Sequence, residues 1–474
     1  MTTARRIFKN FLSLSTAEVL SRFVGFITIA YLARVLGAGA FGKISFVEAI
    51  LSYFLIITNL GLNWVGTREV ARHKENKDQI INTILILKFT LFFIAFVFLL
   101  IFIFFIRKPS DIKLLLFLYG LTLLPASLLI DWAFNGLEKM EYTAATNVIA
   151  KSIFMVLVFL IIKSASQIFI IPIIKLITDI LIVVNLILIF NKVFGKIKFS
   201  FNKKVAINLL KMALPLGFSL YMIRIYYNFD TIMLGFMKDN ETVGYYNAAY
   251  KIILVLIAFA SAFYSAIFPV ISNYYKSSIE KLKNFQTKIT KILISVAIPL
   301  GVGTTLLASR IINFVYGYEY FQGAVALQLL IWAVVIIFID IPFANSLVAV
   351  DRQNKFTIFV TMSAVINLIL NFLLIPTFGI IGASIATIIA ELNLLILSYI
   401  EMKKIVFINP FIYMGRPILA SIILGIFISL FSPYAHLLIV VFVSMTVYFF
   451  ALYIFKGITT EDIQFVRDKI LKSQ

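Results

Sequence analysis

The chain of 474 residues is 62% hydrophobic and only 14% charged, with a mean hydropathy of +1.02. So little polarity cannot cover the surface of a water-soluble protein, which excludes a soluble enzyme or binding domain and indicates a chain solvated by lipid. The absence of cysteine excludes disulfides and cysteine-ligated metals, and the two histidines, His73 and His436, are too few and too separated for a histidine metal site.

Apolar segments of about 20 residues, each long enough to cross a bilayer as a helix, follow one another along the whole chain. We therefore predict an all-α polytopic membrane protein, with an uncleaved first span because Glu18 and Arg22 interrupt any signal-peptide core. The fourteen predicted spans are 11–36, 44–65, 81–106, 112–134, 143–163, 167–190, 205–235, 242–272, 286–309, 323–349, 356–376, 380–401, 416–432 and 434–455. Four prolines inside spans are candidate kinks: Pro215, Pro269, Pro299 and Pro342.

The turn between the first two spans, "GAGAFG" at 37–42, fits the dinucleotide-binding pattern G-x-G-x-x-G letter for letter. That pattern needs a short strand before it and a βαβ unit around it, whereas here a long apolar segment stands on each side. Glycine tolerates positive φ, so we interpret the cluster as a tight turn between two spans. The sequence also lacks a Walker motif, so direct use of ATP is not expected.

Lysine and arginine are distributed very unequally between the two sets of loops. With the N-terminus inside, the inner segments hold more than three times as many of these residues as the outer ones, which predicts that both termini are cytoplasmic. A basic cytoplasmic rim against anionic lipid accounts for most of the net charge of +20 without nucleic acid. No predicted loop exceeds about twenty residues, so neither side has room for a soluble catalytic domain.

Two related halves are indicated by weak internal similarity. A shift of 202 positions places Arg22 on Arg224 and Gly42 on Gly244, and a shift of 213 places "LEKMEY" (137–142) on "VDRQNK" (350–355). Both halves run in the same orientation, so we predict two six-helix lobes related by an axis along the membrane normal. The predicted organisation is an N-lobe at 1–204, a C-lobe at 205–402, and two extra helices with a cytoplasmic tail at 403–474.

Six stretches carry a resemblance to a known family. They are "ARVLGAGAFGKISF" (33–46), "TREVAR" (67–72), "DWAFNGLEKMEYTA" (131–144), "VGYYNAAYKI" (243–252), "IFPVIS" (267–272) and "NLILNFLLIPTFGIIGASIATIIAE" (367–391). In this order they resemble the polysaccharide-repeat-unit flippases, of the superfamily that also holds multidrug and toxic compound extrusion proteins and lipid II flippases. The resemblance implies a two-lobed, V-shaped bundle around a central cavity. It also implies movement of polyprenyl-pyrophosphate-linked oligosaccharide to the outer leaflet.

Charged residues inside the spans are costly, by roughly 2.5–3.5 kcal/mol at mid-bilayer, and each calls for an account. Arg22, Lys151, Arg224 and Lys251 place four positive charges on spans one, five, seven and eight. We predict that they line a water-filled cationic cavity, in which two guanidinium groups suit a pyrophosphate. Tyr221, Tyr226 and Tyr227 are candidate sugar contacts. For Tyr245 and Tyr246 two interpretations stay open, a sugar contact and an interfacial aromatic belt.

The remaining charges allow simpler interpretations. Glu18 with Arg22, and Lys175 with Asp179, are spaced i,i+4 and suit internal ion pairs. Lys88 and Lys211 are expected only to extend toward the membrane surface. The candidate ion-coupling carboxylates are Glu48, Asp230, Asp340 and Glu391. No cofactor is predicted beyond a coupling H⁺ or Na⁺.

The function that these observations favour is a flippase that moves the lipid-linked oligosaccharide from the inner to the outer leaflet of the cytoplasmic membrane by alternating access. A multidrug or cation antiporter of the same fold would need acidic lobes, and a lipid II-type flippase is a further alternative. A glycan polymerase or ligase would need a large external loop, and a scaffold would leave the buried charges unexplained. We predict a monomer, with association to polysaccharide polymerase machinery an open alternative.

Overall fold

The computed structural model describes residues 3–197 and 200–459, without the side chains of residues 3–19, 219, 223, 265 and 266. Lys198, one of the lysines of the predicted inner segments, therefore lies outside the described residues, and the side chain of Glu18, which enters the predictions above, is not described. Every longer element in the described part of the chain is an α-helix. The helices are α1 (Thr3–Asn59), α2 (Leu62–Arg72), α3 (Lys77–Phe105), α4 (Ser110–Gly120), α5 (Leu123–Leu128), α6 (Asp131–Gly136), α7 (Met140–Ile161), α8 (Ile170–Phe194), α9 (Lys203–Met237), α10 (Asn240–Ser277), α11 (Ile279–Tyr316), α12 (Gly323–Ala349), α13 (Gln353–Lys403), α14 (Gly415–Phe431) and α15 (Leu437–Ile454).

Twelve apolar helical segments within the described residues are long enough to cross a membrane. Two of them, Leu20–Arg72 and Gln353–Lys403, have 53 and 51 residues, about twice the length that one crossing needs. Each is interrupted by a glycine with positive φ, Gly37 at 73° and Gly379 at 52°, at the predicted turn between two spans. The prediction of about fourteen spans is confirmed, and "GAGAFG" is a turn.

Large apolar side chains on the outer faces of the helices are exposed, as a protein solvated by lipid requires. Phe104 on α3 is 77% exposed, and Leu160 on α7 and Phe442 on α15 are 68% and 73% exposed. In water, apolar surface of this extent would be a liability for aggregation, whereas in hydrocarbon it costs nothing.

The span predicted at 112–134 corresponds to the apolar segment Ser110–Gly136, which is not one continuous helix but consists of three short helices, α4, α5 and α6. Between α5 and α6 the backbone of Leu129 is extended, with φ −65° and ψ 128°. A second break follows Asn59, where Leu60 and Gly61 have φ values of 43° and 82°. Neither break contains a proline, so the proline-based prediction of kinks could not locate them.

The chain forms two compact units, residues Met1–Ile232 and Met233–Gln474, here called the N-terminal and C-terminal units. The N-terminal unit has a core in which Trp132, Phe134 and Phe190 are almost fully buried. In the C-terminal unit, α14 and α15 pack on α11 through a core that includes Leu307, Leu424 and Tyr448. The lobe and tail boundaries that the sequence suggests stay a prediction.

The turns before α7 and α13 have the same backbone geometry, at the positions that the 213-residue shift relates. Glu138 and Asp351 both have positive φ, 59° and 61°. The Lys139 amide donates to the Phe134 carbonyl at 2.9 Å, and the Arg352 amide donates to the Leu347 carbonyl at 2.7 Å. Both turns therefore follow a Schellman-type helix end, which gives the weak sequence repeat a structural counterpart.

The hairpin of α14 and α15 is fastened to α11 by polar groups as well as by its core. Arg310 of α11 donates to the Ser432 carbonyl and hydroxyl oxygens and, at 2.7 Å, to the Ala435 carbonyl. The Tyr448 hydroxyl donates to the Ser295 carbonyl at 2.6 Å. Arg310 thereby satisfies carbonyls at the end of α14 that the helix itself leaves without donors.

Candidate functional site

The four predicted substrate-binding cations lie on four helices of the two units. In the N-terminal unit, Arg22 on α1, Lys151 on α7 and Arg224 on α9 all have exposed side chains. Lys251 on α10 belongs to the C-terminal unit and is half-buried. The three cations of the N-terminal unit are therefore not packed away inside it, and their role in binding a substrate stays a prediction.

The tyrosines of α9 lie beside a residue that sequence reasoning missed. The ring of Tyr221 is 5.8 Å from the ring of Tyr53 on α1, and the rings of Tyr226 and Tyr227 are 5.6 Å apart. Tyr53 also interacts electrostatically with Tyr221 and Asp230. The structure thus brings a candidate sugar contact and a candidate coupling carboxylate to one tyrosine of the N-terminal unit, which nothing in the sequence had singled out.

The four candidate coupling carboxylates are divided between the units. Glu48 on α1 is exposed and interacts electrostatically with Tyr119, whereas Asp230 on α9 is buried. Asp340 on α12 and Glu391 on α13 are both 4% exposed and interact with one another in the C-terminal unit. Oδ1 of Asp340 accepts no hydrogen bond from the described residues.

The predicted pair of α8 is present. Lys175 Nζ lies 3.2 Å from Asp179 Oδ2, and both side chains are partly exposed. The i,i+4 spacing was therefore sufficient to predict the partner. The competing pair of Glu18 with Arg22 lies outside the described residues, because the side chain of Glu18 is not described.

Two predictions about individual side chains were wrong. Lys88 does not extend to the membrane surface: it is 1% exposed and donates to Asn63 Oδ1 and to the Leu129 carbonyl, each at 3.0 Å. Tyr246 does not belong to an interfacial belt, because it is fully buried and stacks on Tyr250 with 5.8 Å between the rings. Both side chains are buried by the surrounding fold, which the sequence of their own helices does not show.

A helical membrane protein with fourteen predicted crossings, an internal repeat and charges within its spans is of the transporter class. The sequence matches the family described as Polysaccharide biosynthesis protein over residues 7–275, more than half of the chain. The protein belongs to this family. The description MatE matches residues 215–373.

Among its relatives, an uncharacterized membrane protein of Methanocaldococcus jannaschii is 27% identical over 54% of this chain and 52% of its own length. The probable flippase AglR of Haloferax volcanii is 31% identical over 34% of each chain. The chain thus matches about half or less of the length of these two. A putative O-antigen transporter of Shigella dysenteriae is 24% identical over 84% of this chain and 100% of its own.

Solved structures show the same fold. A lipid II flippase, MurJ, in an inward closed conformation has a TM-score of 0.77 at 20% identity and covers 96% of this chain and 99% of its own. An inward-facing multidrug resistance transporter of the MATE family has a TM-score of 0.66 at 14% identity and covers 81% of this chain and 95% of its own. The activities that these names give are transport and flipping, in agreement with the prediction that the protein is not an enzyme.

Proposed function

We propose that the protein is a flippase for polyprenyl-pyrophosphate-linked oligosaccharides and moves them from the inner to the outer leaflet of the cytoplasmic membrane. The observation that carries the proposal is the family match across residues 7–275 of a chain that keeps cations inside its spans. A relative named as a probable flippase supports the activity, and one named as a putative O-antigen transporter supports a glycan substrate. Both termini are proposed to be cytoplasmic and the protein to act as a monomer, in the membrane that holds the polysaccharide polymerase machinery.

Substrate recognition is proposed to rest on the diphosphate. Arg22, Lys151, Arg224 and Lys251 provide the positive charge, and the two arginines provide paired N–H donors that match phosphate oxygens. An ionised side chain that is exposed within an apolar segment is costly against hydrocarbon, so its exposure favours a position facing water or an anionic ligand. Tyr221, Tyr226 and Tyr227 provide flat faces and hydroxyls for sugar rings.

Transport is proposed to follow alternating access, with the polyprenyl tail remaining in lipid. The buried pair Asp340 and Glu391 is the best-placed candidate for exchange of a proton or a sodium ion, since two nearby carboxylates out of water favour uptake of a positive charge. Glu48 and Asp230 are the candidates in the N-terminal unit. Membrane potential is the alternative driving force, because the substrate head is an anion.

Export of glycan by a flippase-deficient strain tests the proposal. Arg22→Ala or Arg224→Ala should abolish export with protein levels unchanged, because removing a charge from a span also removes its insertion cost. Arg22→Lys and Arg224→Lys should restore export in part, since the charge remains but the planar fork is lost. Lys211→Ala, at an exposed lysine of α9 given no role in binding, is the matched control and should export normally. Full export by a well-expressed Arg22→Ala, Arg224→Ala double variant contradicts the cationic site.

A multidrug antiporter is the second candidate, favoured by the MatE match at 215–373. Its cationic substrates would be repelled by the charges named above. Expression in a drug-sensitive strain separates the two functions, because an antiporter should raise resistance to cationic dyes and leave glycan export unrestored. Rescue of a strain depleted of its lipid II flippase identifies the third candidate, which shares the fold.

A further inference from the structure

The N-terminal unit contains a lysine that is withdrawn from water and from lipid. Lys88, in the first half of α3, is 1% exposed, although an unpaired ammonium in such a place would be strongly destabilising. Its Nζ donates to Asn63 Oδ1 and to the Leu129 carbonyl oxygen, each at 3.0 Å. The carboxylate of Asp131 also interacts electrostatically with the ammonium. Two oxygen acceptors, one on α2 and one between α5 and α6, therefore hold one positive charge.

The acceptors come from the two helix breaks of this unit. Asn63 lies in the first turn after the break at Leu60 and Gly61, and its backbone amide donates to Asn59 Oδ1 at 3.0 Å. Leu129 is the extended residue between α5 and α6, so its carbonyl is released from the helical pattern and also accepts from Trp132 Nε1 at 3.1 Å. An amide oxygen and a carbonyl oxygen are ligands that hard cations accept.

A carboxylate oxygen two residues after Leu129 has no donor. Oδ1 of Asp131 is buried and accepts no hydrogen bond from the described residues. A buried carboxylate oxygen without a donor is tolerated where a positive charge lies within electrostatic reach, which the ammonium of Lys88 provides.

We propose that Asn63 Oδ1 and the Leu129 carbonyl form a monovalent-cation site, here called the Lys88 cage, in which the lysine ammonium is an internal cation that joins the two helix breaks. When the lysine side chain is shortened, the cage takes a small primary ammonium or sodium ion in its place. The inference concerns the stability of the N-terminal unit and does not depend on the proposed substrate.

Thermal unfolding of the purified full-length protein in detergent tests the cage. Lys88→Ala should lower the midpoint temperature by about 5 °C or more, because the acceptors lose a charged donor. Ethylammonium chloride, or sodium chloride at higher concentration, should restore much of that loss, whereas choline chloride at equal ionic strength should not, since choline is too large and lacks N–H donors. At equal ionic strength, the midpoint temperature of the wild-type protein should change equally in all three salts.

Lys88→Met is the matched control, because its thioether chain fills the space and leaves no room for an added ion. It should be destabilised and should not respond to ethylammonium. Recovery of Lys88→Ala by choline as fully as by ethylammonium, or no recovery by any cation, would overturn the cage.

If Lys88→Ala does not accumulate, a double-mutant cycle of Lys88→Met with Asn63→Ala keeps the inference testable. A cation bound to its acceptor predicts that the double variant loses clearly less stability than the two single variants together. Strictly additive losses would refute the contact between charge and cage on which the inference rests.

Discussion

Lysines within two different spans have different environments, one exposed and one buried. Lys211 of α9 is exposed, and its extension toward the membrane surface stays a prediction, whereas Lys88 of α3 is enclosed and donates to acceptors at two helix breaks. A long methylene chain carries the ammonium to whichever polar environment lies within reach. Sequence gives the depth of such a residue in its span, and only packing gives its partner.

Asp239 caps the helix that follows it, a role that depends only on nearby residues of the chain. It is the N-cap of α10, where its Oδ1 accepts from the Thr242 amide at 2.7 Å. Asp239→Ala should cost about 1 kcal/mol of stability, whereas Asp239→Asn keeps the acceptor and should cost little. Thermal unfolding of the purified variants against wild type measures both.

This hydrogen bond makes the stability contribution of Asp239 depend on pH. The hydrogen bond from the Thr242 backbone holds the pKa of Asp239 below its ordinary value. A depressed pKa in the folded state contributes stability above the unfolded pKa of about 4, and this contribution is lost as pH falls through the lower folded pKa. The advantage of wild type over Asp239→Asn should therefore shrink below about pH 4. An advantage that grows on acidification would contradict the assignment.

In the N-terminal unit, the helix break at Leu60 and Gly61 does not depend on a proline. Pro215 lies inside α9, which continues through it, whereas Leu60 and Gly61 end α1 without any proline. The break fits closely against α9: a Cβ on Gly217 would lie 2.7 Å from the carbonyl carbon and oxygen of Leu60. The two backbones approach closely because Gly61 and Gly217 carry no side chain: a Cβ on Gly61 would lie 2.8 Å from the Ala213 carbonyl oxygen, as at other close helix crossings in membranes.

Gly217→Ala should therefore destabilise the protein by roughly 1–3 kcal/mol, since the obstructing atoms belong to a backbone and cannot rotate away. Gly25→Ala is the matched control, because a Cβ there would have no atom within 4 Å. It should be neutral or slightly stabilising, as alanine favours a helix over glycine. Fluorescence-monitored unfolding in detergent compares them, and equal effects of the two substitutions would show that the crossing is not close in the membrane.

At the scale of the whole molecule, the repeat and the charge distribution rest on independent observations. The turns at Glu138 and Asp351 share their backbone geometry, and the distribution of lysine and arginine predicts that both lie on the cytoplasmic side. Two halves with the same orientation and one membrane sidedness are what a transporter with parallel repeats requires.

The cysteine-free chain makes this topology directly measurable. Single cysteines at Gly39, Arg107 and Lys238 should react with a membrane-impermeant maleimide in intact cells, because these positions follow outward crossings. Cysteines at Lys74 and Lys281 should react only after the membrane is opened. Labelling at Lys281 in sealed cells would invert the predicted orientation of the C-terminal unit.

The sequence by itself determined the class of the protein and the succession of its spans. Length and hydropathy decide whether a segment crosses a bilayer, and both are local quantities, so α12 was predicted at 323–349 and found as Gly323–Ala349. The i,i+4 pair Lys175–Asp179 and the turn at Gly37 are likewise set within one helix or one turn. Tertiary structure decided the rest. The burial of Lys88, the division of span four at Leu129 and the contact of Tyr53 with Tyr221 each join residues distant in the chain, and hydropathy carries no information about which helices pack together.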